Sequence, residues 1–130
     1  MAQSLTRRAV YTLAEALALS LTTTSATNLF GEPVTVRGRK RVVTLNGSIG
    51  VVTAATAMTV AITYTDANTG KSETIYAYTP AGTAVDALSV AVGVQPFSAT
   101  FPCLDASTIT VNVTAGTASQ ATVSGELRGS

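Results

Sequence analysis

From Val34 onward, apolar side chains alternate with small polar ones, and this constrains the chain more than anything else in its 130 residues. Met58, Val60, Ile62 and Tyr64 alternate with Thr59, Ala61, Thr63 and Thr65, and Ile109, Val111 and Val113 with Thr108, Thr110, Asn112 and Thr114. Val43 with Leu45, the run Leu88, Val90, Val92 and Val94, and Val123 with Leu127 follow the same rule. A period of two sends successive side chains to opposite faces of a pleated strand. Each run therefore predicts a strand with one face on a core and the other on water or a neighbour. The abundance of Val and Thr agrees, since both suit a pleated, half-buried surface.

Turn chemistry separates the runs. Asp66-Ala67-Asn68-Thr69-Gly70-Lys71 predicts a hairpin loop, and Ala115-Gly116-Thr117-Ala118 predicts a second one joining the last two strands. Pro80-Ala81-Gly82 and Gln95-Pro96 read as further breaks. With no helical stretch between the strands, the expectation is an antiparallel sandwich or small barrel. A chain this short supports one core of useful size.

Ahead of Pro33 the pattern differs. Leu5, Ala9, Leu13, Leu17 and Leu21 recur every four positions, which predicts one face of a helix from Ser4 to Leu21. Ala14, Ala16 and Ala18 favour that helix, while Arg7 and Arg8 sit at the wrong end of its dipole. Residues 1–30 thus read as an N-terminal helical or extended arm with its linker, and residues 31–130 as the sandwich. An arm of this kind would bury Leu5, Leu13, Leu17 and Leu21 on a neighbouring copy or another subunit, and removing residues 2–30 would leave the sandwich folded. Glu15 interrupts what would otherwise resemble the apolar core of a signal peptide, so synthesis and retention in a cytoplasm are expected.

Catalytic chemistry is hard to assemble from these residues. The chain has no histidine and one cysteine, Cys103, which removes imidazole bases, paired nucleophiles and most zinc or iron sites. Its seven carboxylates are scattered singly, and the Asp66 loop lacks the later acidic ligand of an EF-hand, position 77 being alanine. No enzyme activity, cofactor, metal or small-molecule substrate is expected. Arg37-Gly38-Arg39-Lys40-Arg41 is the one dense charge cluster, either a solvated turn or a group that meets an acidic patch on a protein partner. A net charge of +1 and the lack of interleaved aromatics argue against nucleic acid as a partner, and no apolar run suits a membrane helix. Tyr64, Tyr76 and Tyr78 fall on adjacent predicted strands, where an aromatic patch for sugars competes with plain cross-strand packing.

Taken together, Val42-Val43-Thr44-Leu45, the strand Met58 to Thr65 with its Asp66–Lys71 loop, Thr74-Ile75-Tyr76-Ala77-Tyr78, Gly82-Thr83, Val90 to Val94, Pro102 and the closing Val123-Ser124-Gly125-Glu126-Leu127 resemble small tailed-phage proteins that decorate, or cement, the capsid. The resemblance spans Arg41 to Gly129. It implies a jelly-roll-like sandwich, commonly a homotrimer, on the outside of a virion, clamping neighbouring major capsid subunits. It carries over no catalytic residue. The low aromatic content and the Ala/Leu-rich start depart from the family pattern. Arg37, Arg39, Lys40 and Arg41 join the four leucines as expected partner contacts. The competing readings are a receptor- or glycan-binding module of a fibre and a self-assembling coat or tube subunit.

Overall fold

The structure is a computed structural model and describes residues 11–37 and 42–130, in which there are ten strands and no helix. In chain order they are β1 (Tyr11–Ser20), β2 (Thr27–Asn28), β3 (Val34–Thr35), β4 (Val42–Val51), β5 (Thr56–Thr65), β6 (Ser72–Tyr76), β7 (Leu88–Val90), β8 (Gly93–Pro102), β9 (Thr108–Ala115) and β10 (Ala121–Gly129). They form two antiparallel sheets, one ordered β1-β10-β4-β8 and the other β2-β9-β5-β6, with β3 also on β9 and β7 also on β5. The β5–β6 hairpin, β2 to β3 and β6 to β7 stay within one sheet, while every other connection crosses to the opposite sheet.

The alternation read from the sequence sets the two inner faces. Val43, Leu45 and Ile49 of β4, Met58, Val60 and Ile62 of β5, Ile109, Val111 and Val113 of β9, and Val123 and Leu127 of β10 are all buried and meet in one core. The intervening outer positions are mostly Thr, Ser and Asn, with Ala61 on β5 and Glu126 and Arg128 on β10 as exceptions. Two inward-facing positions carry no side chain: Gly47 and Gly125, paired across β4 and β10. Phe97 fills the space over Gly47 and Leu29 the space over Gly125, so bulk from other elements replaces the missing side chains.

The predicted N-terminal helix does not form in the described residues. Tyr11–Ser20 is the edge strand β1, paired with β10 from Tyr11↔Gly129 to Ser20↔Thr122. A spacing of four fits a period of two as well as it fits a helical turn, and Leu19, two residues after Leu17, belongs only to the former. Two bulges adjust which side chains turn inward. One extra residue, Leu13, falls between Thr12↔Arg128 and Ala14↔Leu127, and another between Ala16↔Gly125 and Leu19↔Val123. As a result Leu13, Ala14, Ala16 and Leu19 pack against the core, while Glu15 and Leu17 point out. Leu21 and Leu29 are core residues, and their amides donate to the carbonyls of Ala121 and Val111. Residues 11–30 are therefore woven into both sheets, and contrary to the expectation from sequence, removing residues 2–30 would take away an edge strand and two core leucines.

The structure departs from the sequence pattern at three other places. Leu88 to Val94 is two strands, because the chain reverses at Ala91-Val92 and Gly93 takes a φ of 127°. Pro96 lies inside β8 and does not end it. β8 is the last strand of its sheet, and the Ser98 amide points away from β4 to bond the Tyr78 carbonyl at 2.8 Å. Two residues earlier Pro96 has the same orientation, so its missing N–H removes no ladder bond. The 116–120 segment joins β9 to β10 across the two sheets, not as a hairpin.

Candidate assembly surfaces

The outer face of the six-stranded sheet is a grid of small polar side chains set by register. Thr35, Thr108, Thr65 and Ser72 lie in one cross-strand row, Thr110, Thr63 and Thr74 in the next, and Asn28, Asn112, Ala61 and Tyr76 in the third. The Thr65 and Ser72 hydroxyls are 2.8 Å apart. No residue in these rows is charged. Hydroxyls both donate and accept, so such a face can be covered by protein without desolvating an ion.

The outer face of the four-stranded sheet differs. Register places Glu15 directly opposite Glu126, which in turn faces Asn46. Like charges so placed repel. The Arg128 guanidinium pairs with Glu126, whereas Glu15 has no ion-pair partner among the described residues. Beside this row lies the second bulge of β1, between Ala16 and Leu19. Ala18, at a φ of 54°, is held there by its amide donating to Ser124 Oγ at 2.9 Å. An open depression of about 560 Å3 lies here, lined by Glu15, Leu17, Asn46, Ser48, Ser124 and Arg128 among others. Leu17, one of the lining residues, is 91% exposed.

The two ends of the sandwich are also unlike. At one end, segments 21–26, 52–55, 91–92 and 116–120 contain no charged residue, and Val52, Val92 and Val94 are exposed there. Backbone donors at this end are met by neutral groups: Gln120 Oε1 accepts from the Thr53 and Ala54 amides, and Thr56 Oγ1 from Thr117. The lysine and arginines among the described residues, Arg37, Lys71 and Arg128, stand at or beside the opposite end.

That charged end is tied by the Asp66 loop. The Asp66 carboxylate accepts from the Thr69 amide at 2.9 Å, the Thr69 hydroxyl at 3.0 Å and the Tyr64 hydroxyl at 3.3 Å. These donors, the Thr69 amide foremost, hold its pKa below the ordinary 3.8. Gly70, at a φ of 71°, closes the turn. Buried Ser107 links this loop to the β8–β9 connection, its Oγ lying 3.2 Å from the Tyr64 hydroxyl and accepting from the Ala67 amide. Every donor around the Asp66 carboxylate is thus used in shaping a hairpin. Burial, with a smaller contribution from Asp66, pushes the nearby Cys103 thiol up to about 11.

The residues expected to contact a partner are dispersed. Leu13 is half-buried, Leu17 is fully outside and Leu21 is in the core, so these three leucines form no common stripe. Arg37 is exposed; Leu5, Arg39, Lys40 and Arg41 lie outside the described residues. The three tyrosines do not make one patch either. Tyr64 turns inward, edge-on to Phe101 with ring centres 6.5 Å apart, while Tyr76 and Tyr78 remain exposed. Among the described residues no three metal-binding side chains come together. The depression was not foreseen, because it depends on a pairing between positions 15 and 126 that nothing local announces.

No protein-family model and no curated protein matches the chain in sequence. Solved structures match in fold. A chain of the T13 viral particle of infectious bursal disease virus superposes with a TM-score of 0.56 at 15% identity, covering 92% of this chain and 30% of its own. A structure of the Gt strain of the same virus gives 0.54 at 14% identity, covering 94% and 32%. Clostridium thermocellum endo-1,4-beta-D-xylanase 10B, a structure of its CBM22-1 and GH10 modules with xylohexaose, gives 0.49 at 10% identity, covering 92% and 28%. The chain thus spans about a third of the length of the structures it matches. At these identities the likeness concerns the fold alone.

Proposed function

We propose that this chain is a non-enzymatic structural protein of a virion, which decorates and stabilises a capsid by holding neighbouring major capsid subunits. The observation that carries the proposal is the strand order, β1-β10-β4-β8 facing β2-β9-β5-β6. Taken as a double Greek key it is a jelly roll, an architecture much used in viral shells. The viral-particle chains with a similar fold support the same reading. So does the surface: an uncharged Thr/Asn face is suited to lie against protein, with little ion desolvation to oppose burial. On this reading the partners are a major capsid protein and further copies of the chain, as a homotrimer, with synthesis in the host cytoplasm before attachment to the outer capsid surface.

The test is to mix the purified chain with empty capsids and follow co-sedimentation. Saturable binding at a fixed ratio to the capsid subunit is expected. If the chain closes into particles by itself and ignores preformed shells, it is a coat subunit. If it ignores shells and is retained on a glycan array, the fibre-module reading replaces this one.

A further inference from the structure

We propose that two copies of the chain join through β6, its open edge pairing antiparallel with β6 of a second copy about a two-fold axis at Ser72, so that the two six-stranded sheets run on as one.

An edge strand offers a row of free backbone groups to any passing chain, and bulges, prolines or shortness blunt the other edges here. β1 is broken by two bulges. On β8, Pro96 and Pro102 have no amide to turn outward, and the Ser98 amide is taken by Tyr78. β2, β3 and β7 are two or three residues long. β6 has five residues, no proline and an unbroken register with β5. The Ala77 amide bonds Val60 of β5, so the alternate residues Ser72, Thr74 and Tyr76 turn their amides and carbonyls away from β5. Tyr78 has the same orientation, and there both groups are met by Ser98 at 2.8 Å. Among the described residues no backbone meets those of Ser72, Thr74 and Tyr76. Such a row of donors and acceptors is matched by an extended strand.

Charge selects which strand. Lys71 and Glu73 flank Ser72, are exposed, and have no ion pair among the described residues. An apolar or like-charged strand would leave them unpaired, which deters it. With Ser72 opposite Ser72, each Lys71 faces the other copy's Glu73, giving two opposite-charge pairs from one axis. The same register sets outward-facing backbone groups against each other, as an antiparallel ladder requires. Moving the axis one residue either way puts Glu73 opposite Glu73 or Lys71 opposite Lys71. Moving it to Thr74 leaves both charges facing Ile75 and Ala77. The uncharged rows of Ser72 and Thr74 lie on the other face of the strand and would continue from one copy into the next. This contact is separate from any three-fold association and holds for the isolated protein, so it and the virion reading can fail independently.

Charge exchange tests it. Lys71→Glu and Glu73→Lys each set like charges opposite one another and should weaken the pairing about tenfold or more. In sedimentation velocity at low salt the unaltered chain should run at twice the mass of either variant. An equimolar mixture of the two, and the double variant Lys71→Glu/Glu73→Lys, should both recover the heavier species. Thr74→Pro removes an outward amide without touching the β5–β6 bonds, and it should abolish pairing too. Circular dichroism confirms the strand signature of each variant. A single-chain mass for the unaltered protein overturns the proposal. So does a mass that any of the three single substitutions leaves unchanged, or a mixture that fails to reassociate.

Discussion

Gly47 lies directly opposite Phe97 on neighbouring strands, and a Cβ added to it would stand 2.3 Å from Phe97 Cζ and 2.5 Å from the Ser124 carbonyl. Phe97 is 2% exposed and has little room to yield. Gly47→Ala is therefore expected to cost about 1–3 kcal/mol through overpacking. Gly50, three residues on, would place its Cβ 3.7 Å from the Thr122 carbonyl with nothing closer. Gly50→Ala should be neutral or stabilise by up to ~1 kcal/mol. Urea unfolding of the two variants checks the contrast; equal midpoints would remove the role assigned to Phe97.

Leu17 and Leu21, four residues apart, should behave oppositely. Leu21, 1% exposed, packs in the core, and Leu21→Ala is expected to lose about 2–5 kcal/mol. Leu17→Ala should stay within ~0.5 kcal/mol, measured on the single chain at high dilution. Removal of residues 2–30 takes away β1 together with Leu21 and Leu29, and the truncated chain is expected to lose its cooperative thermal transition.

Acid should loosen the Asp66 hairpin. Its folded-state pKa is lower than the ordinary 3.8. The ionised carboxylate therefore contributes stability that is complete above about pH 4 and is lost as pH falls through the folded value. Asp66→Asn should lower the melting temperature near neutral pH, and the gap to the unaltered chain should narrow as the pH falls through the lowered folded-state value. A gap that is constant with pH would show that the turn depends on shape and not on charge.

Cys103 is 4% exposed, and its thiol titrates at about 11. At mildly alkaline pH the native thiol is expected to react with an aromatic disulfide reagent far more slowly than the thiol of the urea-unfolded chain. Comparable rates would mean that the β8–β9 connection opens readily.

Much of the sandwich was legible because its strands are long and one-sided. Met58 to Thr65 and Thr108 to Thr114 each carry enough alternation to exclude a helix, and the Asp66–Gly70 loop states its own turn. β1 was not legible. Its leucines satisfy two periods at once, and the bulges at Leu13 and before Leu19 break the simple in-and-out count. Pro96 misled because a proline inside a strand is tolerated only at a sheet edge, and edges are set by the whole topology. The facing of Glu15 and Glu126, 111 positions apart in sequence, follows from the β1–β10 register. Local pattern carries no trace of it.

The separation of charged from uncharged loops gives this small body a top and a bottom. Both signs stand together at one end, where Asp66 and Asp105 accompany Arg37 and Lys71, while the end of Val52 and Val92 carries neither. In a layer whose copies all point the same way, dissolved ions would act on one side and leave the other almost indifferent to them.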